Sequence, residues 1–279
     1  MDELVTDSRG SQGLIINKNE NNKTYTKIVK SYLYKYVIKY INGISNALDI
    51  PTIKYDFIRK DGINYIKSES YDKEIDYDEI IIEPFYYSDI HDGIYMTKEF
   101  LSNYENGSRT YQEYLKQIVL ALLINDADRT IANTKFYKKG NDILLAPYLD
   151  IHLAMNLDSD LPVFMDEYYF TKQEFDSEEI EQHMSYEKFM SYFEHDFNSS
   201  YGYLYNQCVF GEHSIQDIWK ILYEEINDKL IFEKINKLEI DDVLGEKIND
   251  NAYRIISEQF NISKKILNET LMINKRTIK

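Results

Sequence analysis

Residues 122–133 read LLINDADRTIAN and residues 144–150 read LLAPYLD. The first stretch predicts an apolar helix end followed by a polar loop, in which four residues separate Asp128 from Asn133. The second predicts a strand that delivers Asp150 after a run of apolar residues. Two carboxylates and an amide are the groups that orient an attacking hydroxyl and hold Mg²⁺ against ATP phosphates. The two stretches therefore predict a phosphoryl-transfer site.

A second interpretation gives the same acids a purely structural role. Asp126 or Asp128 can cap a turn, and Asp150 can cap a helix, because short acidic side chains accept hydrogen bonds from free backbone N–H groups. The position of the loop directly after an apolar helix favours the functional interpretation, since polar groups there cost free energy unless they are paired or used.

Composition limits the classes of protein to be considered. The chain has 279 residues, 43% of them hydrophobic, which is enough for one large domain or two lobes with a real core. Its net charge of −16 and lack of a strongly basic run argue against direct nucleic-acid binding. The single cysteine, Cys208, excludes a disulfide within the chain and a cysteine-based metal site.

The sequence shows no secretory signal and no apolar run of membrane-spanning length. We therefore expect a cytoplasmic protein that does not contact a membrane. Unconventional export as an effector would leave no mark in the sequence.

The periodicity of the apolar residues changes near residue 86. Before it, short apolar runs predict strands, and one amphipathic stretch predicts a helix that Asp49-Ile50-Pro51 ends. The predicted helix is 31–48, and the predicted strands are 14–17, 24–29, 53–58, 64–67 and 79–85.

After that point a polar segment rich in turn residues, 86–93, precedes a mainly helical region. A strongly apolar helix is predicted at 111–124 and a hairpin at 134–147. Further helices are predicted at 186–195, 214–235 and 240–249 and from 251 onward, with Asn261 capping a new helix.

The two regions together predict an α+β fold with two lobes. We expect a small β-rich N-lobe at residues 1–86, a larger helical C-lobe at 87–279 and a hinge at about 82–88. A cleft between two lobes is a common place for a ligand.

The order of these motifs resembles the HipA-like kinase family, the toxin kinases of bacterial toxin–antitoxin modules and their relatives. That family has an Asp-x-His-x-x-Asn loop, a hairpin and a Leu-x-Pro-x-Tyr/Phe-Asp metal motif, similar to residues 128–133 and 145–150. IIIEPF at 80–85 resembles its hinge strand, TYTKI at 24–28 its ATP-lysine strand, and GSQG at 10–13 its phosphate loop. The resemblance implies a two-lobed protein-kinase-like fold that uses ATP and Mg²⁺.

The resemblance also implies a role for each matching residue. Asp128 would orient the hydroxyl of a Ser/Thr side chain in a protein substrate, and Asn133 and Asp150 would ligate Mg²⁺. Lys27 would bind the α/β phosphates of ATP, although a lysine on a strand can equally face solvent. The hinge residues that would hold adenine are Glu83 and Phe85, and the loop residues that would contact the phosphates are Gly10, Ser11 and Gly13.

Two features of regulation follow from the same resemblance. Ser8 or Ser11 would be an autophosphorylation site, where a phosphate would repel the nucleotide by its negative charge. A small antitoxin, or a separate protein that supplies an N-terminal subdomain, would be a partner.

Some positions depart from the family pattern. Thr130 replaces a His, Leu149 replaces an aromatic residue, Asp126 replaces an Asn, and the helix at 31–48 lacks the Glu that pairs with the ATP lysine of ordinary protein kinases. These departures keep open a pseudokinase that binds ATP as an interaction module. Two further alternatives are a kinase for a small molecule or lipid, since the Asp-x4-Asn…Asp layout recurs in such relatives, and a purely structural helical protein.

Overall fold

The computed structural model describes eight parts of the chain: residues 14–19, 22–29, 31–69, 76–82, 90–126, 134–148, 155 and 214–277. The strands are β1 (Leu14–Asn19), β2 (Asn22–Val29), β3 (Tyr55–Lys60), β4 (Ile63–Glu69), β5 (Glu79–Ile82), β6 (Lys135–Lys139) and β7 (Asp142–Leu145). The helices are α1 (Tyr34–Leu48), α2 (Ile90–Leu101), α3 (Gly107–Leu123), α4 (Ile215–Glu225), α5 (Leu230–Lys237), α6 (Ile240–Leu244) and α7 (Asp250–Thr277).

The first four strands form an antiparallel sheet in the order β1-β2-β4-β3. Because side chains alternate along a strand, the register defines two faces. Ile66 is buried on the inner face, in one row with Phe57. The neighbouring row, Ile28 and Ile58, lies on the outer face and is exposed. The predicted strands of this region are confirmed, although β1, β2 and β4 are longer than expected and β3 lies two residues further along the chain.

Helix α1 packs against this sheet and against the C-terminal helices. Its buried residues include Val37, Ile41, Ile44 and Leu48, the spacing of three and four that predicted it. The helix ends where predicted, because Asp49 adopts a left-handed conformation with φ of 55°.

Strand β5 does not join the first sheet. It pairs with β6, which pairs with β7, in a three-stranded antiparallel sheet in the order β5-β6-β7. The strand predicted to close the β-rich region therefore packs beside the predicted hairpin. That hairpin is confirmed, and Gly140 at its turn has a positive φ of 57° that favours glycine.

Helix α3 forms the centre of the helical region. Its residues from Ile118 to Leu123 are almost completely buried, which confirms the prediction of a buried helix at 111–124. Helices α2, α4 and α7 pack around it. The α+β architecture expected from the sequence is thus confirmed.

Three local predictions are wrong. The segment 86–93 was expected to be a turn-rich connection, but α2 begins at Ile90, because Ile90, Ile94 and Leu101 form a buried stripe that continues past the segment. Asn261 does not cap a new helix.

Helix α7 runs without a break from Asp250 to Thr277, and Asn261 lies exposed in its middle. Phe260, Ser263 and Leu267 are buried on either side of that position, so packing along one face keeps the helix continuous. The predicted helix at 214–235 is in fact α4 and α5, and the helix predicted at 186–195 lies outside the described residues.

Gly43 sets the distance between α1 and α6. A Cβ atom at this position would overlap the backbone carbonyl of Val243, so only glycine allows the two helices to approach this closely.

We therefore expect Gly43→Ala to lower the free energy of unfolding by about 1–3 kcal/mol, the usual cost of overpacking. Urea unfolding followed by the fluorescence of Trp219, the only tryptophan and fully buried, measures the change. Asn46→Ala, at an exposed position of the same helix, is the matched control. Equal stability of the two variants would contradict the proposed close contact.

Candidate active site

Most residues predicted from the sequence to form the site lie outside the described part of the chain. These residues are Ser8, Gly10, Ser11, Gly13, Glu83, Phe85, Asp128, Asn133 and Asp150, and only Lys27 is described. The described residues that flank these segments, however, show where in the fold several of the segments begin or end.

Three of these segments connect to the same edge of the three-stranded sheet. Ile82, the last residue of β5, pairs with Lys135, the first residue of β6. The backbone N–H of Ala146, directly after β7, donates to the carbonyl of the same Lys135 at 2.9 Å. The chain therefore leaves this edge toward the predicted hinge, arrives there from Asn133, and leaves again toward Asp150.

The loop that carries Asp128 begins at a buried helix end with a Schellman motif. Asn125 has a left-handed conformation with φ of 49°, and the N–H of Asp126 donates to the Ala121 carbonyl at 3.0 Å. Asparagine is one of the few residues other than glycine that tolerate this conformation. The sequence thus ends α3 sharply and fixes the direction in which the loop starts.

Other elements satisfy the remaining carbonyl groups at this helix end. The hydroxyl of Tyr40 in α1 donates to the Leu123 carbonyl at 2.8 Å. The hydroxyl of Ser263 in α7 donates to the Leu122 carbonyl at 3.3 Å. The N–H of Met155, five residues after Asp150, donates to the Ile124 carbonyl at 3.1 Å. A buried helix end needs such partners, and here they bring three distant parts of the chain to the start of the loop.

Tyr148 makes the second connection between the loop and the predicted metal motif. Its hydroxyl donates to the Asp126 carboxylate, and both side chains are buried, at 0% and 1% exposure. Its N–H donates to the Pro51 carbonyl at 2.8 Å, and its carbonyl accepts from the Ile53 N–H at 3.1 Å. We call Tyr148, Asp126 and residues 51–53 the Tyr148 junction.

Lys27 lies on the inner face of the first sheet. It pairs with buried Ile66 on one side and with Leu14 on the other, and its side chain is partly buried. The alternative, that this lysine faces solvent, would require it to lie on the outer face of the sheet. Because Leu14 follows Gly13 directly, the chain leaves the predicted phosphate loop beside Lys27.

Two polar side chains at the ends of the predicted catalytic loop are buried without a hydrogen-bond partner among the described residues. They are the Asn125 amide, at 0% exposure, and the Thr134 hydroxyl, at 1%. Buried polar groups are nearly always paired, so each such exception needs an explanation. Their location on both sides of the loop is consistent with a site that is completed by a bound group.

Other possible sites receive little support from the described residues. No group of three or more His, Cys, Asp or Glu side chains within them could hold a metal ion. The helices that can be described are all too short or too polar to cross a bilayer.

Burial raises the pKa of Tyr111, and the nearby Glu225 carboxylate raises it further. The neutral hydroxyl of Tyr111 donates to that carboxylate at 3.5 Å, which gives this buried tyrosine a structural role between α3 and α4.

The chain is similar to known proteins in its fold and not in its sequence. No protein-family model matches the sequence, and no curated protein is significantly similar to it. The crystal structure of CtkA, a proinflammatory kinase of Helicobacter pylori, superposes with a TM-score of 0.52 over 98% of both chains, at 11% identity.

The chain has a kinase fold. HipA, in the toxin–antitoxin complex of HipA, HipB and operator DNA from Shewanella oneidensis MR-1, is also similar, with a TM-score of 0.46 and 12% identity over 95% of this chain and 65% of HipA. The kinase-like fold that the resemblance implied is confirmed by the similarity to CtkA. At these identities the similarity shows the fold alone, so activity and substrate are argued from the residues.

The sequence did not reveal the Tyr148 junction. Asp126 was noticed only as a departure from the family pattern, and Tyr148 only as a variable position of the metal motif. A signal was nevertheless present, because a tyrosine and an acid each stand two residues before a predicted site aspartate.

The Tyr40 hydroxyl offers a test of the contact between α1 and the end of α3. Tyr40→Phe removes the hydroxyl that donates to the buried Leu123 carbonyl. We therefore expect the free energy of unfolding to fall by about 1–2 kcal/mol. Urea unfolding monitored at Trp219 measures it, with Tyr95→Phe at a position of 45% exposure as the control. A Tyr40→Phe variant as stable as this control would argue against the contact.

Proposed function

We propose that the protein is a kinase that transfers the γ-phosphoryl group of ATP, with Mg²⁺, to a Ser/Thr hydroxyl of a protein. The observation that carries this proposal is the convergence of the predicted segments on a kinase fold. The described residues that flank the hinge, Asn133 and Asp150 segments lie at one sheet edge, and Tyr148 and Asp126, each two residues before a predicted site aspartate, are hydrogen-bonded to each other.

The short spacing between the described residues and the predicted site residues supports this proposal. Two residues span at most about 7 Å, so the Cα atom of Asp128 lies within about that distance of Asp126, and the Cα atom of Asp150 within about that distance of Tyr148. The buried hydrogen bond between the Tyr148 hydroxyl and the Asp126 carboxylate holds the two starting points together. This is the arrangement expected if both aspartates serve one nucleotide.

The residues fit Mg²⁺ chemically. Mg²⁺ prefers oxygen ligands and in phosphoryl-transfer sites takes one or two protein oxygens together with substrate phosphates. Asn133 and Asp150 would supply those oxygens, and the bound ion would neutralise charge on the phosphates. The unpaired amide and hydroxyl of Asn125 and Thr134 at the two ends of the loop are consistent with a bound group nearby.

The remaining roles belong to protein side chains. Asp128 would orient the attacking hydroxyl and accept its proton as oxygen bonds to the γ-phosphorus and ADP leaves. Lys27, on the inner sheet face and paired with Leu14, the residue after the predicted phosphate loop, would bind the α/β phosphates. Gly10, Ser11 and Gly13 would contact phosphates through backbone N–H groups, and Glu83 and Phe85 would hold adenine.

Regulation and location remain predictions within this proposal. The lobes would divide at residue 86, Ser8 or Ser11 would be autophosphorylated, and a small antitoxin-like protein would bind the chain. A cytoplasmic location without nucleic-acid or membrane contact is expected from the composition.

A second function is favoured by one specific observation. Helix α1 contains no acidic side chain, so it cannot supply the carboxylate that positions the ATP lysine in protein kinases. A pseudokinase would bind Mg–ATP without turnover, whereas the proposed kinase transfers phosphate to protein.

The decisive assay follows transfer of label from γ-labelled ATP to protein substrates. We expect Asp128→Ala to abolish transfer while ATP binding is kept, because this acid would contact only the hydroxyl. We expect Asp150→Ala to weaken Mg-dependent nucleotide binding, measured as a loss of the thermal stabilisation that saturating ligand gives.

Binding without transfer in the wild type would favour the pseudokinase. If neither binding nor transfer occurs, the proposal is wrong. Label that enters lipid or metabolite pools, but not protein, would assign the site to a small-molecule kinase.

Lys27 can be tested against a lysine on the opposite face. Lys67 lies on the outer face of β4, one register position away. Because a charge-assisted bond to phosphate is worth about 1.5–3 kcal/mol, Lys27→Ala should raise the KM for ATP by about 10- to 100-fold. Lys67→Ala should leave it unchanged, and similar KM values for the two variants would exclude Lys27 from the nucleotide site.

A further inference from the structure

Helix α1 is connected to the predicted catalytic segments by hydrogen bonds that do not involve Lys27. At its C-terminal end, the Ser45 hydroxyl donates to the Ile50 carbonyl and lies 3.0 Å from the Thr52 hydroxyl. These contacts attach the connection after α1 to the helix itself. That connection forms a parallel β-bridge between Thr52 and Tyr148.

The Tyr148 junction continues this path into the site. The backbone of Tyr148 is bound on both sides, by the Pro51 carbonyl and the Ile53 N–H, so the position of α1 fixes the residue two places before Asp150. The hydroxyl of Tyr148 then donates to Asp126, two places before Asp128. One buried residue, through its main chain and its hydroxyl, therefore joins the connection after α1, the start of the catalytic loop and the metal motif.

We propose that Tyr148 is a positioning residue that couples α1 to the relative placement of Asp128 and Asp150. This inference rests on the proposed kinase function and assigns to Tyr148 the connection that a helix carboxylate provides in other protein kinases. Its main-chain bonds place the metal motif relative to α1, and its hydroxyl places the catalytic loop relative to the metal motif. The Tyr148 hydroxyl is bonded to Asp126, so the role assigned to it is positioning rather than catalysis.

Burial makes this connection effective. Tyr148 and Asp126 are excluded from water, so the hydroxyl is a strong donor to the carboxylate and water cannot replace it. The two aspartates that the junction would position are each only two residues away. A displacement of about 1 Å at a catalytic group can lower the rate about 100-fold.

The test uses the full chain and compares Tyr148→Phe with Tyr111→Phe. Tyr111 is the matched control, since its hydroxyl also donates to a carboxylate, that of Glu225, and its ring is also buried, away from the Tyr148 junction. We expect Tyr148→Phe to lower kcat for phosphoryl transfer by about 10- to 100-fold. We expect the KM for ATP to stay within a factor of about 3, because the phosphate loop and Lys27 are untouched.

Two further readouts separate positioning from stability. Tyr148→Phe should raise the Mg²⁺ concentration that gives half-maximal activity, while its thermal midpoint should fall no further than that of Tyr111→Phe. Asp126→Asn keeps an oxygen acceptor for the Tyr148 hydroxyl and should retain most of the wild-type kcat.

Ser45→Ala tests the same connection at α1, because it removes the hydroxyl that contacts Ile50 and Thr52. This variant remains informative if Tyr148→Phe does not fold. It should lower kcat in the same direction, and its effect should not add to that of Tyr148→Phe, since the two residues act through one connection.

The outcomes distinguish this inference from the proposed function. Transfer that depends on Asp128 but is unaffected by Tyr148→Phe and Ser45→Ala overturns the positioning role and leaves the kinase assignment intact. Equal losses of kcat in Tyr148→Phe and Tyr111→Phe also overturn it. A wild-type chain without Asp128-dependent transfer overturns both proposals.

Discussion

The buried C-terminal end of α3 is the constraint on which the rest of the structure depends. A helix ends with carbonyl groups that lack partners inside the helix, and at a buried end water cannot supply the missing donors. Here the donors are the Asp126 N–H, the Ser263 and Tyr40 hydroxyls and the Met155 N–H. Satisfying one helix end therefore draws α1, α7 and the segment after the metal motif to the point where the predicted catalytic loop begins.

The elements predicted most accurately from the sequence are those whose signals are local. The apolar run of residues 118–123 predicts a buried helix, the spacing of Val37, Ile41 and Ile44 predicts α1, and the turn at Gly140 predicts the hairpin. Each of these features is written within one short stretch of the chain. The kinase-like fold was instead implied by the resemblance of several separate motifs to a known family, and the structural similarity to CtkA confirms it.

The features that the sequence did not reveal are those that depend on distant parts of the chain. The pairing of β5 with β6 joins residues more than 50 positions apart, and no local pattern specifies it. Asn261 resembles a helix cap by residue type, but packing of Phe260 and Ser263 against the core overrides that preference. The hydrogen bond between Tyr148 and Asp126 likewise depends on the packing of α3 against the hairpin, which no local pattern specifies. The roles of Asp128, Asn133 and Asp150 remain predictions.

The central claim is that two acids and an amide from separate segments serve a single bound Mg–ATP. A crystal structure with Mg²⁺ and a non-hydrolysable ATP analogue tests it most directly. We expect oxygen atoms of Asn133 and Asp150 to ligate the ion, with the Asp128 carboxylate facing the γ-phosphate. A nucleotide bound elsewhere, or these three side chains directed away from one shared cavity, would contradict the claim.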